Sequence, residues 1–126
     1  MLGFYPVAAV LLTKDLAAAR AFYVDKLELE VVSENDAAIT LDSDDTRIIL
    51  SLSTTGSHDP QTKLAWIVDN LESELDALRE RGIEPQNYDS PELSTVNGIA
   101  DMGSFRSAWI LDPDGNALSI QQPKEV

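Results

Sequence analysis

The chain has 126 residues, a formal net charge of −13 at pH 7, a hydrophobic fraction of 44% and no cysteine. We expect residues 1–126 to form a single domain, because this length can bury an apolar core of its own. The lack of cysteine excludes disulfides and thiolate chemistry and permits a reducing cytoplasm, which is the expected location. The negative charge excludes nucleic acid and anionic membranes as partners and favours cationic small molecules. A simpler interpretation is that the charge only keeps the protein in solution.

The first half of the chain begins with an apolar run at residues 7–12, which has the length of a strand and is too short to span a bilayer. Asp15 follows as the predicted N-cap of a helix that extends to Leu27. Three more strands, separated by acidic turns, are predicted at residues 29–33, 37–41 and 47–53. The predicted order is strand, helix, strand, strand, strand, followed by a polar linker at residues 54–62.

The second half repeats this order. Residues 64–68 form a predicted strand, and Asp69 is the predicted N-cap of a helix, with Glu72 at the spacing of a capping box and Gly82 at its end. Residues 83–88 are a candidate strand, residues 89–104 are irregular, and the last strands are predicted at 106–111 and 116–121. A long irregular stretch of this kind often forms a lid over a site, and a mobile insertion is the equal alternative.

The repeated order predicts a duplicated βαβββ unit, with residues 1–55 as the first module and 63–126 as the second. Together with this repeat, the segments LTKDL at 12–16, FYVDKL at 22–27 and DPDGN at 112–116 make the chain resemble the vicinal oxygen chelate superfamily. That superfamily includes glyoxalase I, extradiol dioxygenases, fosfomycin resistance enzymes and bleomycin resistance proteins. The resemblance implies an α+β fold in which two tandem βαβββ modules form curved mixed sheets around a cup, and it implies a homodimer.

One departure from the family pattern follows the first predicted helix, where Glu28 replaces the usual glycine. The turn at that position must therefore avoid a left-handed residue or carry strain.

The resemblance also implies positions for a metal, because enzymes of this superfamily hold one divalent ion with His, Glu or Gln from the first and last strands of each module. Matching the helix caps and the DPDGN turn places these positions at Ala8, at Leu50 or Ser51, at Lys63 and at Ser119. None of these side chains is a suitable ligand for zinc, nickel, iron or manganese. The expected cup is therefore free of metal and of any other cofactor.

The leading hypothesis from the sequence is a metal-independent small-molecule-binding protein similar to bleomycin resistance proteins, with no catalytic residue. Its ligand would be a cationic or aromatic compound such as an antibiotic, and a second aromatic cluster facing the same cleft would favour it. The predicted ligand-binding residues line the cup or its lid: Ala8, Leu50, Lys63, Met102, Phe105, Arg106, Trp109, Ser119 and Gln121.

Two alternatives stay open. The first is a metal-dependent glyoxalase-like lyase or isomerase, or a dioxygenase, with a displaced metal site whose candidate donors are Glu30, His58, Glu92 and Asp101. The second is a non-catalytic dimeric regulatory module, which would dimerise without binding any small molecule.

Overall fold

The computed structural model describes residues 1–56 and 61–124. The chain divides into two compact units, Met1–Ser57 and His58–Val126, and each unit contains one four-stranded sheet. Both units have the element order strand, helix, strand, strand, strand, so the predicted α+β fold with two similar modules is confirmed. In the part of the chain that is described, no helix has the length and apolar character needed to cross a membrane.

The first unit begins with a 3₁₀ turn at Leu2–Phe4. Its remaining elements are β1 (Ala8–Thr13), α1 (Leu16–Arg20), a π-helical segment (Ala21–Lys26), β2 (Glu30–Glu34), β3 (Ala38–Ser43) and β4 (Thr46–Leu52). The sheet order is β1-β4-β3-β2, with β1 parallel to β4 and the other neighbours antiparallel. Helix α1 packs on β3 and β4, and the face beneath it carries the buried side chains of Leu11, Ile39 and Leu50.

The first helix begins where the sequence predicts. Asp15 is its N-cap, and its carboxylate accepts a hydrogen bond from the Ala18 amide at 3.1 Å. The helix changes from α to π geometry at Ala21 and ends at Lys26. Glu28 then has a φ of 65°, which lies in the left-handed region. Of the two outcomes expected for this turn, the structure therefore has the strained one.

The second unit has the same topology. Its elements are β5 (Thr62–Ile67), α2 (Leu71–Glu80), β6 (Ala100–Asp101), β7 (Phe105–Leu111) and β8 (Ala117–Pro123). The sheet order is β5-β8-β7-β6, with β5 parallel to β8 and the other neighbours antiparallel. Helix α2 packs on β7 and β8, and it buries Leu71, Leu75 and Leu78, the apolar face expected from their spacing.

The N-cap of α2 is one residue later than predicted. Asn70 has the extended backbone of a cap, with φ −140° and ψ 99°, and its Oδ1 accepts a hydrogen bond from the Ser73 amide at 3.1 Å. The predicted capping box between Asp69 and Glu72 is therefore wrong. The Glu72 carboxylate instead forms an ion pair with Arg106 of β7.

The segment between α2 and β7 also differs from the prediction. Residues 83–88 form no strand, and Pro85 within them has no N–H to donate to a sheet. The position beside β7 is occupied by the short strand β6, which lies inside the stretch predicted to be irregular. That stretch also contains a tight turn at residues 96–99, closed by reciprocal backbone hydrogen bonds of 2.9 and 3.0 Å between Val96 and Ile99. Positive φ angles at Asn97 (53°) and Gly98 (81°) give it type I′ geometry.

Candidate functional site

Each sheet has one face covered by its helix, and we call the opposite face the open face. In the first sheet, Leu12 pairs with Ser51, and Ala8 lies four residues before Leu12, so these three side chains share the open face. Leu50 pairs with Leu11 on the helix-covered face and is only 1% exposed. Of the two positions that the sequence left open, Ser51 is therefore the one that shares a face with Ala8, and Leu50 belongs to the core.

Ser119 lies in the middle of the open face of the second sheet. It pairs with Ala65 of β5 on one side and with Trp109 of β7 on the other, so the three side chains point the same way. Gln121 and Phe105 share this face, because side chains alternate along β8 and β7. Four of the predicted ligand-binding residues, Ser119, Gln121, Trp109 and Phe105, are thus brought to one face of one sheet.

The hydroxyl group of Ser119 is completely buried and already hydrogen-bonded. Its Oγ lies 2.8 Å from the Oγ of Ser107, which is also fully buried, and 3.1 Å from Nε2 of Gln121. Gln121 itself is partly exposed. Ser119 therefore acts on a ligand only through Gln121, and a direct contact with its hydroxyl would require this arrangement to open.

An aromatic pair lies beside Ser119. The rings of Tyr88 and Trp109 meet edge to face, with centroids 5.7 Å apart and planes at 89°. The indole N–H of Trp109 donates to the hydroxyl of Thr62 at 3.2 Å, so the ring is held in one orientation. Tyr88 is not among the predicted site residues, and it adds one aromatic ring beside Trp109. It lies at the end of the wrongly predicted strand 83–88, and the sequence did not assign it to the site.

Arg106 lies on the helix-covered face of the second sheet and not with Trp109. Both of its terminal nitrogens bind the Glu72 carboxylate, and Nη2 also donates to Oε1 of Gln122 at 3.0 Å. The same Gln122 oxygen accepts the Leu71 amide at 2.8 Å. The hydrogen bond from Arg106 lowers the pKa of Glu72 to about 2 and raises the pKa of Arg106 itself. Arg106 therefore joins helix α2 to the sheet instead of facing a ligand on the open face.

Lys63 and Met102 lie at the margins of the second sheet. The pairing of β5 with β8 shifts between Thr62 and Leu64, so Lys63 occupies an irregularity in the strand, and it is exposed. Met102 follows β6, is 41% exposed and donates its amide to the Phe105 carbonyl at 2.8 Å.

The predicted lid at residues 89–104 is held by several contacts. Its backbone forms bridges between Asp89 and Ser94 and between Val96 and Ile99. Nη2 of Arg79 on helix α2 donates to the Asn97 carbonyl at 3.0 Å. This stretch is therefore folded on itself by its two bridges and joined to helix α2 at Asn97.

The side chains at the positions that the resemblance implies for a metal do not suit a metal ion. Ala8 has no donor atom, the Ser119 hydroxyl is committed to Ser107 and Gln121, and Ser51 offers only a hydroxyl. Across residues 1–56 and 61–124, no group of three or more His, Cys, Asp or Glu side chains could hold a metal ion.

Two of the candidate donors for a displaced metal site belong to different units. Glu30 lies on β2 of the first unit, while Asp101 lies on β6 of the second, where it binds Lys124 Nζ at 2.7 Å. The hydrogen bond from Lys124 lowers the pKa of the Asp101 carboxyl. Glu92 is exposed in the segment before β6, and His58 lies outside the described residues.

A shallow cleft in the first unit was not predicted. It lies between the start of α1 and the turn from β2 to β3, above the buried Ile39. An ion pair between Arg20 and Glu34, with Nε and Oε2 3.0 Å apart, lines one side of it. Both side chains are partly exposed to solvent, so this pair is an ordinary surface ion pair.

Comparison with known proteins gives one family and a common fold. The model of the Glyoxalase/Bleomycin resistance protein/Dioxygenase superfamily matches residues 6–120. No curated protein matches the chain. The glyoxalase family protein from Enterococcus faecalis is 22% identical, with a TM-score of 0.74 and coverage of 96% of this chain and 99% of that chain.

Two further solved structures have names that mention antibiotics or resistance to them. The fosfomycin resistance protein FosX from Listeria monocytogenes is 13% identical, with a TM-score of 0.71, and the alignment covers 95% of this chain and 93% of that one. TnmS3, an antibiotic binding protein from Streptomyces sp. CB03234, is 19% identical, with a TM-score of 0.68 and coverage of 95% and 98%. Identities this low show a shared fold alone.

Proposed function

This chain belongs to the glyoxalase/bleomycin resistance protein/dioxygenase superfamily, and within it we propose a metal-independent protein that binds a small aromatic compound. The binding site is the open face of the second sheet around Trp109. The protein sequesters the compound and does not convert it, because the described side chains of this face include no His, carboxylate or thiol, and its two serine hydroxyls are bonded to each other.

The observation that carries this proposal is the surroundings of Trp109. Ala65 and Ile67 follow one another along the same face of β5, and both are exposed, Ile67 to 66%. Ala65 has a small side chain and lies across Ser119 from Trp109, whose indole is oriented by Thr62 and by the edge of Tyr88. A flat apolar ligand would cover Ala65 and Ile67 and contact the fixed aromatic pair.

Two further facts support a ligand of the antibiotic type. The names of two proteins with this fold describe fosfomycin resistance and antibiotic binding. The net charge of −13 raises the local concentration of cationic compounds at the surface. A cationic aromatic antibiotic combines both properties, so it is the first compound to test.

The test is calorimetric titration of metal-stripped protein with doxorubicin, a cationic aromatic compound. We expect saturable binding that falls at least tenfold in Ala65→Phe, which adds a large side chain to the same face, across Ser119 from Trp109. The matched control is Ala37→Phe, an equally large addition at an exposed alanine of the first unit. Equal binding by both variants would place the compound elsewhere and contradict the proposed site.

A second arm tests metal independence by thermal shift with Ni²⁺, Zn²⁺, Mn²⁺ and Fe²⁺. A ligand at about a hundred times its dissociation constant stabilises the native state by roughly 2.7 kcal/mol, which is a shift of several degrees for this size of domain. We expect no saturable shift. A shift with one metal would favour the alternative of a metal-dependent lyase, isomerase or dioxygenase.

We also propose that the protein acts as a cytoplasmic homodimer. Strand β1 is an edge of the first sheet, and its open face exposes Val10 to 57% and Leu12 to 37%. A second copy that covered these apolar side chains would remove their surface from water, which is favourable. Light scattering across micromolar concentrations tests this, and a monomer throughout would contradict it. A tight dimer that binds none of the compounds would favour the regulatory module.

A further inference from the structure

The buried hydroxyl pair beneath the proposed site specifies which atom Gln121 presents to a ligand. Ser107 and Ser119 are both fully buried, and their oxygens are 2.8 Å apart. Among the described residues, Ser107 makes no other side-chain hydrogen bond, and Ser119 makes one more, to the Gln121 amide at 3.1 Å. Two hydroxyl protons must therefore be accommodated in two contacts.

The count of protons decides between the two orientations of the amide. If Gln121 donates an N–H to Ser119, the contact between these two residues already holds a proton. The contact between Ser107 and Ser119 then takes only one of the two hydroxyl protons. The other hydroxyl proton is then buried without an acceptor, which is unfavourable. If the amide is rotated by 180°, Ser107 donates to Ser119 and Ser119 donates to Oε1 of Gln121. Every hydroxyl proton then has an acceptor, and the shape of the amide is nearly unchanged.

We propose that Gln121 directs its amide N–H groups to the open face, so that the ligand carries an oxygen acceptor, as in an aromatic carbonyl compound. This inference rests on the proposed function and names the ligand class of the same site. Gln121 is partly exposed, and it is the diagonal neighbour of Trp109 across β8 and β7. Diagonal neighbours on one face are roughly 7–8 Å apart, so a two-ring compound against Trp109 reaches Gln121.

The orientation of the amide is measured without any ligand, by NMR of the Gln121 side-chain NH₂ group. Its resonances are assigned as those that disappear in Gln121→Leu. We expect both protons to exchange rapidly with water, because they point outward. Slow exchange with protection of one proton would mean that the nitrogen binds Ser119, and it would overturn the inference.

The ligand class is measured with three probes of nearly the same size: 2-acetylnaphthalene, the hydrocarbon 2-isopropenylnaphthalene and 2-(aminomethyl)naphthalene. We expect the ketone to bind about five- to tenfold more tightly than the hydrocarbon, which is the ratio that one hydrogen bond supplies. Gln121→Leu should remove this ratio. Gln121→Glu, whose carboxylate still accepts from Ser119 but has no N–H, should weaken the ketone and strengthen the ammonium probe.

The matched control is Gln122→Glu, which adds the same charge one residue along β8. Gln122 lies on the helix-covered face, where its oxygen accepts from Leu71 and Arg106, and a carboxylate keeps both contacts. We expect Q122E to bind the ketone and the hydrocarbon in the wild-type ratio.

The outcomes separate this inference from the function on which it rests. Equal binding of ketone and hydrocarbon by the wild-type protein would overturn the inference and leave the aromatic site intact. Binding of none of the probes, and none of doxorubicin, would overturn the proposed function and the ligand class with it. A change in ratio shared by Q121E and Q122E would assign the effect to charge and overturn the role of Gln121.

Discussion

Asp112 and Asn116 close the turn between β7 and β8 through both oxygens of one carboxylate. Oδ1 of Asp112 accepts the Asn116 backbone amide at 2.8 Å, and Oδ2 accepts the Asn116 side-chain amide at 2.8 Å. A third hydrogen bond, from the Asp114 amide to Oδ1, is 2.9 Å long. Asp112 is 7% exposed and Asn116 is fully buried, so water does not replace these contacts easily.

We expect Asp112→Ala to destabilise the protein by about 3 kcal/mol, because it leaves buried N–H groups without an acceptor. Urea unfolding measures the change. The control is Asp36→Ala, an exposed carboxylate in a turn of the first unit, which should change stability by less than about 0.5 kcal/mol. Similar losses in the two variants would contradict the structural role of Asp112.

The turn after the first helix predicts a stabilising substitution. Glu28 has a φ of 65°, and a side chain in this region costs roughly 1–2 kcal/mol. Glycine avoids that cost but gains freedom in the unfolded chain, so we expect Glu28→Gly to stabilise by about 1 kcal/mol. Glu28→Ala, which keeps the strain and removes the carboxylate, is the control. Stabilisation by alanine equal to that by glycine would attribute the effect to charge.

Substituting two glycines that have the same φ distinguishes the cost of backbone strain from the cost of a steric clash. Gly82 and Gly98 both have a φ of 81°, but a Cβ on Gly82 would meet nothing within 4 Å, whereas one on Gly98 would lie 2.6 Å from the Cβ of Pro85. We expect Gly82→Ala to cost about 1 kcal/mol and Gly98→Ala at least about 2 kcal/mol more. Thermal unfolding of both variants measures the difference. Equal losses would mean that residues 96–99 move away from Pro85 at little cost.

The sequence was sufficient for the fold because its strongest signals are local. The Asp15 cap, the apolar face of the second helix and the DPDGN turn each specify an element without knowledge of its neighbours. The cap of α2 was predicted at Asp69 because Asp and Asn are equally good caps. The choice of Asn70 depends on which residue takes the extended conformation, which the tertiary structure determines.

The faces of the strands were harder to predict. Strand β4 is apolar at consecutive positions, so its sequence does not reveal which of Leu50 and Ser51 faces outward, and only the pairing with β1 decides. Arg106 and Trp109 are three residues apart on β7, so their side chains point to opposite faces of the sheet. Arg106 therefore contacts Glu72 on α2 and does not lie on the open face. The turn at residues 96–99 did have a sequence signal, since Asn-Gly is typical of type I′ turns.

The ion pair between Arg106 and Glu72 predicts how stability depends on pH. The hydrogen bond from Arg106 lowers the pKa of Glu72 from 4.5 to about 2, so the folded protein holds the charged carboxylate more strongly than the unfolded chain does. The contribution of the ion pair to the free energy of unfolding is fully present above the pKa that Glu72 has in the unfolded chain. It is lost as the pH falls from about 4.5 towards 2. We therefore expect the stability advantage of the wild-type protein over Glu72→Gln to shrink between pH 6 and pH 3.

Urea unfolding of both proteins at each pH measures this difference. Because the two proteins share all their other carboxylates, the titration of those groups cancels in the comparison. Glu74→Gln is the control, because Glu74 lies on the same helix but its carboxylate has no ion pair among the described residues. Added salt should reduce the advantage at pH 6, since the pair is partly exposed to solvent. An advantage that stays constant with pH would mean that Glu72 contributes through packing and that the pair with Arg106 adds nothing to stability.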